Sequence, residues 1–179
     1  RKRNYMAFSG YAFQGLREGD NTGETPFVLP MVDYNHIGEP DRLGGRPSLD
    51  VNLLALTRTD GTDTQRLSVK GGWRLPYVGP MGDVYALSAT LTGDLYHVDE
   101  LARSGKTGTY SGFNGRLLPQ LALDWRYPLV REEEKVYQLF EPIVSAVVSP
   151  YGGNPDTIPN EDSLDFEFDD TNLFSSNRF

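Results

Sequence analysis

Apolar and polar residues alternate with a period of two in stretch after stretch of this chain. From Leu67 the apolar set is Leu67, Val69, Gly71, Trp73, Leu75 and Tyr77, set against Ser68, Lys70, Gly72, Arg74 and Pro76. From Tyr85 it is Tyr85, Leu87, Ala89, Leu91, Gly93 and Leu95, set against Ala86, Ser88, Thr90, Thr92 and Asp94. From Gly115 it is Leu117, Pro119, Leu121, Leu123, Trp125 and Tyr127, set against Arg116, Leu118, Gln120, Ala122, Asp124 and Arg126. Strand side chains point alternately to opposite faces, so each stretch predicts a strand with one apolar and one polar face. Each run is about 11 to 13 residues long, against roughly 5 to 6 for an ordinary strand. A tilted strand crossing a bilayer needs roughly 9 to 11. Length and alternation together predict an all-β fold, an antiparallel up-and-down transmembrane β-barrel, of which this chain supplies about seven to eight strands.

Strands are expected near 3–14, 27–38, 48–58, 64–77, 84–97, 114–127 and 136–149. No long window repeats at helical period, and Gly and Pro are scattered throughout. The connections sort into two kinds. Those at 39–47, 78–83 and 128–135 fall at one end of the expected sheet. Those at 15–26, 59–63, 98–113 and 150–179 fall at the other; all but 59–63 are longer and rich in Gly, Asn, Asp, Ser and Thr. Outer-membrane barrels put short turns on the periplasmic side and longer loops outside, which assigns the first group to the periplasm. Trp73, Tyr77, Tyr85, Trp125 and Tyr127 flank the short turns on the apolar face. An apolar ring with a polar tip suits a membrane interface, so these five are expected to form an aromatic girdle. As core aromatics of a soluble β-sandwich they would carry the same alternation. Pro30, Pro119 and Pro142 fall inside expected strands, where each removes a ladder donor and marks an edge or a bulge.

Composition narrows the functional classes. No apolar run approaches the roughly 18 residues of a membrane helix, and barrel strands leave no such signal. The mean hydropathy of −0.47 is that of a water-soluble domain, and a barrel with a polar lumen has the same average. There is no cysteine, hence no disulfide framework and no thiolate metal site. The net charge is −8, from 17 basic and 25 acidic residues. Between Lys135 and Arg178 there is no Lys or Arg, but there are eight acids, which account for the whole imbalance. No basic patch suited to nucleic acid is visible.

The search for chemistry yields little. The run Glu161, Asp162, Asp165, Glu167, Asp169 and Asp170 raises the question of calcium, but the central glycine and the oxygen spacing of an EF-hand loop are missing. A looser divalent site, a solvated acidic loop, and an inward-folded loop using Leu164, Phe166 and Phe168 all remain open. Asp124 and Glu141 form the carboxylate pair that glycosidase chemistry would want, yet both point away from the apolar face, where charges are ordinary in a barrel. His36 and His97 lie far apart and belong to no catalytic or metal motif. The polar face instead offers both signs of charge, through Lys70, Arg74, Asp94, Arg116, Gln120, Asp124, Arg126 and Glu141. A wet lumen of this kind suits a charged amphiphile, with no cofactor and no metal required.

Several segments carry a family resemblance. They are Phe13-Gln14-Gly15-Leu16-Arg17, Val28-Leu29-Pro30 with Asp33-Tyr34, and Leu43-Gly44-Gly45-Arg46. Further along are Leu118-Pro119-Gln120 through Asp124-Trp125-Arg126-Tyr127-Pro128, Glu141-Pro142, and Pro159-Asn160-Glu161-Asp162-Ser163 through Asn177-Arg178-Phe179. Their order over the whole chain resembles the LptD family of lipopolysaccharide-assembly outer-membrane proteins, also known for organic solvent tolerance. The resemblance implies a non-enzymatic role, with lipopolysaccharide received from a periplasmic bridge protein and inserted into the outer leaflet of the cell outer membrane. It also implies a plug lipoprotein inside a very large barrel, and outer-membrane lipids around it. Residues 1–179 would be a middle slice of that C-terminal barrel, without the N-terminal periplasmic jelly-roll domain. The polar-face residues would then face the lumen, and the acidic run would hold cations near phosphorylated lipid or touch the plug. A different outer-membrane barrel (a porin or receptor) and a soluble β-sandwich binding module are the alternatives.

Overall fold

In a computed structural model of the chain, residues 3–15, 21–103, 105–133, 136–150 and 155–159 are described. All regular structure among them is β. The strands are β1 (Arg3–Ala12), β2 (Phe27–Ile37), β3 (Arg46–Thr57), β4 (Asp63–Val78), β5 (Val84–Ala102), β6 (Thr109–Arg126), β7 (Leu129–Glu133), β8 (Val136–Phe140) and β9 (Ile143–Val148). Seven form one antiparallel sheet in the order β1-β2-β3-β4-β5-β6-β9, and β7 pairs with β8 in a separate hairpin. Every neighbour in the large sheet up to β6 is the next strand in sequence, the up-and-down meander that the alternation predicts.

The register fixes the two faces. Leu53, Leu67, Leu95 and Gly115 stand in one cross-strand row, and Val51, Val69, Gly93 and Leu117 in the next. Between these rows run Asn52, Ser68, Asp94 and Arg116 on the opposite face. Burial runs opposite to that of a soluble domain. Leu91, Leu95, Leu117, Leu121 and Leu123 are exposed, while Thr64, Asp94 and Tyr96 on the polar face are buried. An apolar surface left outward over six neighbouring strands requires a partner other than water.

The structure corrects the sequence reading in three places. β5 and β6 run to Ala102 and from Thr109, so the expected long link at 98–113 shrinks to 103–108. The expected seventh strand at 136–149 is two strands interrupted at Glu141 and Pro142, and only β9 joins the large sheet, pairing with Leu121–Arg126. The expected turn at 128–135 is largely β7, so β6 and β9 continue as a hairpin beyond the sheet, with Tyr127 N–H bonded to the Pro142 carbonyl at 3.1 Å. Prolines also sit where the ladder is interrupted. Pro30 sits where the β2–β3 register slips between Val28 and Met31. Pro119 turns its carbonyl toward β9, accepting from Ser149 Oγ at 3.1 Å, and it has no N–H to offer on that side; the β6–β9 ladder ends at Leu121.

Tight turns set one end of the sheet. In the 38–45 turn, Asp41 Oδ1 accepts from the N–H groups of Leu43 and Gly45, both at 2.9 Å, and Asp41 Oδ2 accepts from Trp73 Nε1 at 2.8 Å. Gly44 takes a left-handed φ of 87°, and a Cβ on Gly45 would lie 2.3 Å from the Trp73 ring. Only glycine lets the turn pass beneath the indole. The Trp73 bond holds the Asp41 carboxyl below its ordinary value of 3.8. Its contribution is therefore present above 3.8 and lost only as pH falls through the lower folded-state value.

Two outcomes are expected in the intact protein. Gly45→Ala should displace the indole and lower stability by about 1–3 kcal/mol, read as the temperature at which the folded, fast-migrating gel form is lost. Trp73 fluorescence, taken as the difference from a Trp73→Phe control, should hold steady as pH is lowered to 3.8 and change only below it. A transition well above 3.8 would show that Asp41 does not hold the ring.

Candidate functional site: the polar face of the sheet

Five strands, β2 to β6, bring the charged residues of the polar face into one patch because their register aligns. Arg116 on β6 stands opposite Asp94 on β5, and its Nε lies 2.5 Å from Asp94 Oδ2. The Asp94 side chain is 4% exposed, so this pair is largely desolvated. The Arg116 guanidinium also lies 5.8 Å from the centre of the Tyr96 ring, a cation–π arrangement. Two strands away, Asn52 donates from Nδ2 to Asp33 Oδ1 at 2.7 Å and accepts from Arg66 Nη2 at 3.0 Å. Asn35 donates to Asp50 in the adjacent row. Lys70 stands in register between Asp50 and Thr92.

Toward the tight-turn end the same face opens. Asp124 accepts from Ser145 Oγ at 2.7 Å and lies 3.8 Å from Arg74 Nη2. Arg126 Nε is 3.9 Å from Glu141 Oε1. Arg74 and Arg126 keep more than half of their side-chain surface exposed. Gln120 is on this face opposite Thr90. Lys70, Arg74, Asp94, Arg116, Gln120, Asp124 and Arg126 therefore share one face, and Glu141 joins them from the break between β8 and β9 rather than from a strand. Asp124 and Glu141 are each engaged by a different arginine.

The other end of the polar face is dry. Val28, Leu56, Thr64 and Val98 form one cross-strand row, each 8% exposed or less, and Tyr96 at 5% lies in the next row. Sequence reasoning missed this row. Its signal is the loss of alternation in Leu53-Leu54-Ala55-Leu56 and Leu95-Tyr96-His97-Val98, where both faces become apolar. The residues 155–159 lie against this end. Thr157 Oγ1 donates to Asn114 Oδ1 at 2.8 Å, Asn114 Nδ2 donates to the Thr157 carbonyl at 3.1 Å, and Lys106 Nζ pairs with Asp156 Oδ2 at 2.5 Å. The Lys106 ammonium, as hydrogen-bond donor and nearby positive charge, holds the Asp156 carboxyl below its ordinary value.

On the apolar face, Tyr77, Tyr85 and Trp125 form one row across β4, β5 and β6 at the tight-turn end. Tyr77 and Tyr85 ring centres are 6.2 Å apart, and Trp125 is 6.3 Å from Tyr127. Trp73 stands nearer the middle of the sheet, held by Asp41. Glycines 93 and 115 floor a shallow groove between Leu67, Val69, Leu95 and Leu117. His36 and His97 occupy opposite ends of this face, His36 against Asn4 at 2.5 Å and His97 against the Phe113 ring at 4.4 Å. Glu161, Asp162, Asp165, Glu167, Asp169 and Asp170 lie outside the described residues.

The buried pair gives a direct test. Arg116→Met leaves the Asp94 carboxylate uncompensated and should destabilise the intact protein by about 3–5 kcal/mol in chemical unfolding. Combining it with Asp94→Leu should recover much of that loss. A double-variant loss equal to the sum of the Arg116→Met and Asp94→Leu losses would mean that the two side chains are not coupled.

A search of curated proteins finds no match to this chain. A family model described as LptD, LPS transport system D, matches residues 1–179. That match spans the whole sheet, both its faces and the hairpin, and joins the antiparallel architecture to a lipopolysaccharide transport family of the outer membrane rather than to an enzyme family. The chain belongs to the LptD family, and its sheet is part of a β-barrel of that family.

Proposed function

We propose that this chain forms a stretch of barrel wall in the cell outer membrane, with its apolar face against lipid and its polar face lining the lumen through which lipopolysaccharide reaches the outer leaflet. The observation that carries this reading is the inverted burial. Leu91, Leu95, Leu117 and Leu121 are exposed while Asp94 is buried against Arg116. In a closed barrel the exposed leucines meet acyl chains, and the charged face meets water and the transported lipid. Tyr77, Tyr85, Trp125 and Tyr127 then sit at the periplasmic interface with Trp73 just inside it, and the links at 38–45 and 79–83 are periplasmic turns. Residues 1–179 are a central part of the barrel, and the periplasmic domain that meets the bridge protein lies elsewhere in the parent protein.

The polar face suits the cargo. Lipopolysaccharide carries phosphates and sugars on one side and acyl chains on the other. Arg74 and Arg126 offer cationic contacts at the wetter end and Lys70 one nearer the middle, and the Asn and Thr residues offer hydrogen bonds to sugars. The plug lipoprotein is the partner expected to cover the rest of this face. No residue here has to break or make a covalent bond; the work is binding and guidance.

Site-specific photo-crosslinking in the full-length protein tests the assignment of faces. A benzophenone side chain at Lys70 or Gln120 should capture lipopolysaccharide or the plug lipoprotein in growing cells. The same probe at Val69 or Leu121, one residue away, should capture neither the plug nor transported lipid in a transport-dependent manner. Reversal of this pattern would turn the wall inside out and discard the lumen reading.

A further inference from the structure

The segment 155–159 folds back onto the polar face, and what it touches defines its role. Its anchor, Asn114, shares a cross-strand row with Arg66 and Tyr96. The contacts reach far along the chain, 43 residues from Asn114 to Thr157 and 50 from Lys106 to Asp156. They are also lightly held. Lys106 and Asp156 keep 50% and 58% of their side-chain surface exposed. Exposed ion pairs are individually weak, so such contacts position a segment without locking it. The adjacent row behaves oppositely, with Val98 at 0% exposure. A weakly tethered segment thus borders the driest part of an otherwise polar face.

We propose that residues 155–159 are a strap that narrows the mouth of the lumen at the end opposite the tight turns, held by two latches, Lys106 with Asp156 and Asn114 with Thr157. The proposal rests on the reading of the polar face as the lumen lining. Among the described residues, releasing the strap breaks one exposed ion pair and two side-chain hydrogen bonds, while the sheet beneath keeps its ladder intact. The wall can therefore stay rigid while its mouth changes width, and a barrel that must pass a bulky lipid without leaking small solutes needs that separation.

The test uses the full-length protein, purified from outer membranes and placed in planar bilayers, with each variant first checked for heat-modifiable gel mobility. Lys106→Glu and Asp156→Lys each put like charges together, and each should raise mean ion conductance by a few-fold, the scale set by an exposed ion pair. The swapped pair, Lys106→Asp with Asp156→Lys, should return it toward the wild-type value. Thr157→Val removes the second latch without a change of charge and should also raise conductance, which covers the case in which a charge variant fails to fold. If folded variants conduct as wild type does, or if the swap leaves conductance as high as the single reversals, the strap is overturned and the lumen reading stands. The lumen reading itself falls only if the crosslinking pattern of Lys70 and Val69 is reversed, so the two failures are told apart.

Discussion

In hydrocarbon an unpaired backbone N–H or C=O has no water to turn to, and each one left open costs several kcal/mol. That constraint organises this chain. From β1 to β6 every strand pairs with its sequence neighbour over nearly its full length, and the few slips in register are local. Alternation follows from the same requirement, because a strand committed to two neighbours has only its side chains left to satisfy lipid on one side and water on the other. The exposed leucines are thus the consequence of a backbone that is already satisfied. The span fits as well. From Leu67 to Tyr77, at about 3.4 Å per residue and a tilt near 40°, the apolar stripe rises roughly 25 Å, the height of an outer-membrane barrel's apolar band.

The ladder also explains where irregularity is tolerated. Pro30 lies where the register slips, Pro119 lies where the β9 ladder stops, and Pro142 separates β8 from β9. The slip between Val98 and Leu101, with Glu100 at a left-handed φ of 57°, lies near the end of β5, beyond the apolar stripe. The separate β7–β8 hairpin begins only after the aromatic row of Tyr77, Tyr85 and Trp125. Broken backbone pairing is therefore concentrated near strand ends or beside a proline that offers no donor, where its cost is least.

The strands β3 to β6 were legible in the sequence because their two faces differ in chemistry at almost every step. The fold was lost where that contrast fades. Tyr96 and Val98 put apolar groups on both faces, and the glycines at 105, 108 and 112 read as a long loop, so the ends of β5 and β6 were missed. Phe140, Pro142 and Val144 keep a period of two across a break, so β8 and β9 read as one strand. Arg131, Glu132 and Glu133 made β7 look like a turn. For the polar face, the residue types were visible but their partners were not. Asp94 and Arg116 are 22 residues apart, and nothing short of register could pair them. Asp33, Asn35, Asn52 and Arg66 carry no local sequence signal for the same reason. Tyr77, Tyr85 and Trp125 share one row because each lies close to a short turn.

Register also determines which charges on the polar face can move and which cannot. A polar face that only needed to meet water could be lined with serines and threonines, which cost less to bury than ions. Here a nearly buried carboxylate is matched to an arginine at one level, while arginines with most of their surface free stand at another. A matched buried pair has little charge left to offer a passing ligand, because each partner already satisfies the other in a low dielectric. The exposed cations keep theirs. The same wall thus separates a structural charge pair from accessible charges by depth alone, with Asp94–Arg116 fixing the middle of the sheet and Arg74 and Arg126 remaining available toward the tight-turn end. Charge on the polar face is therefore graded by depth, accessible toward the tight-turn end and self-neutralised in the middle of the sheet.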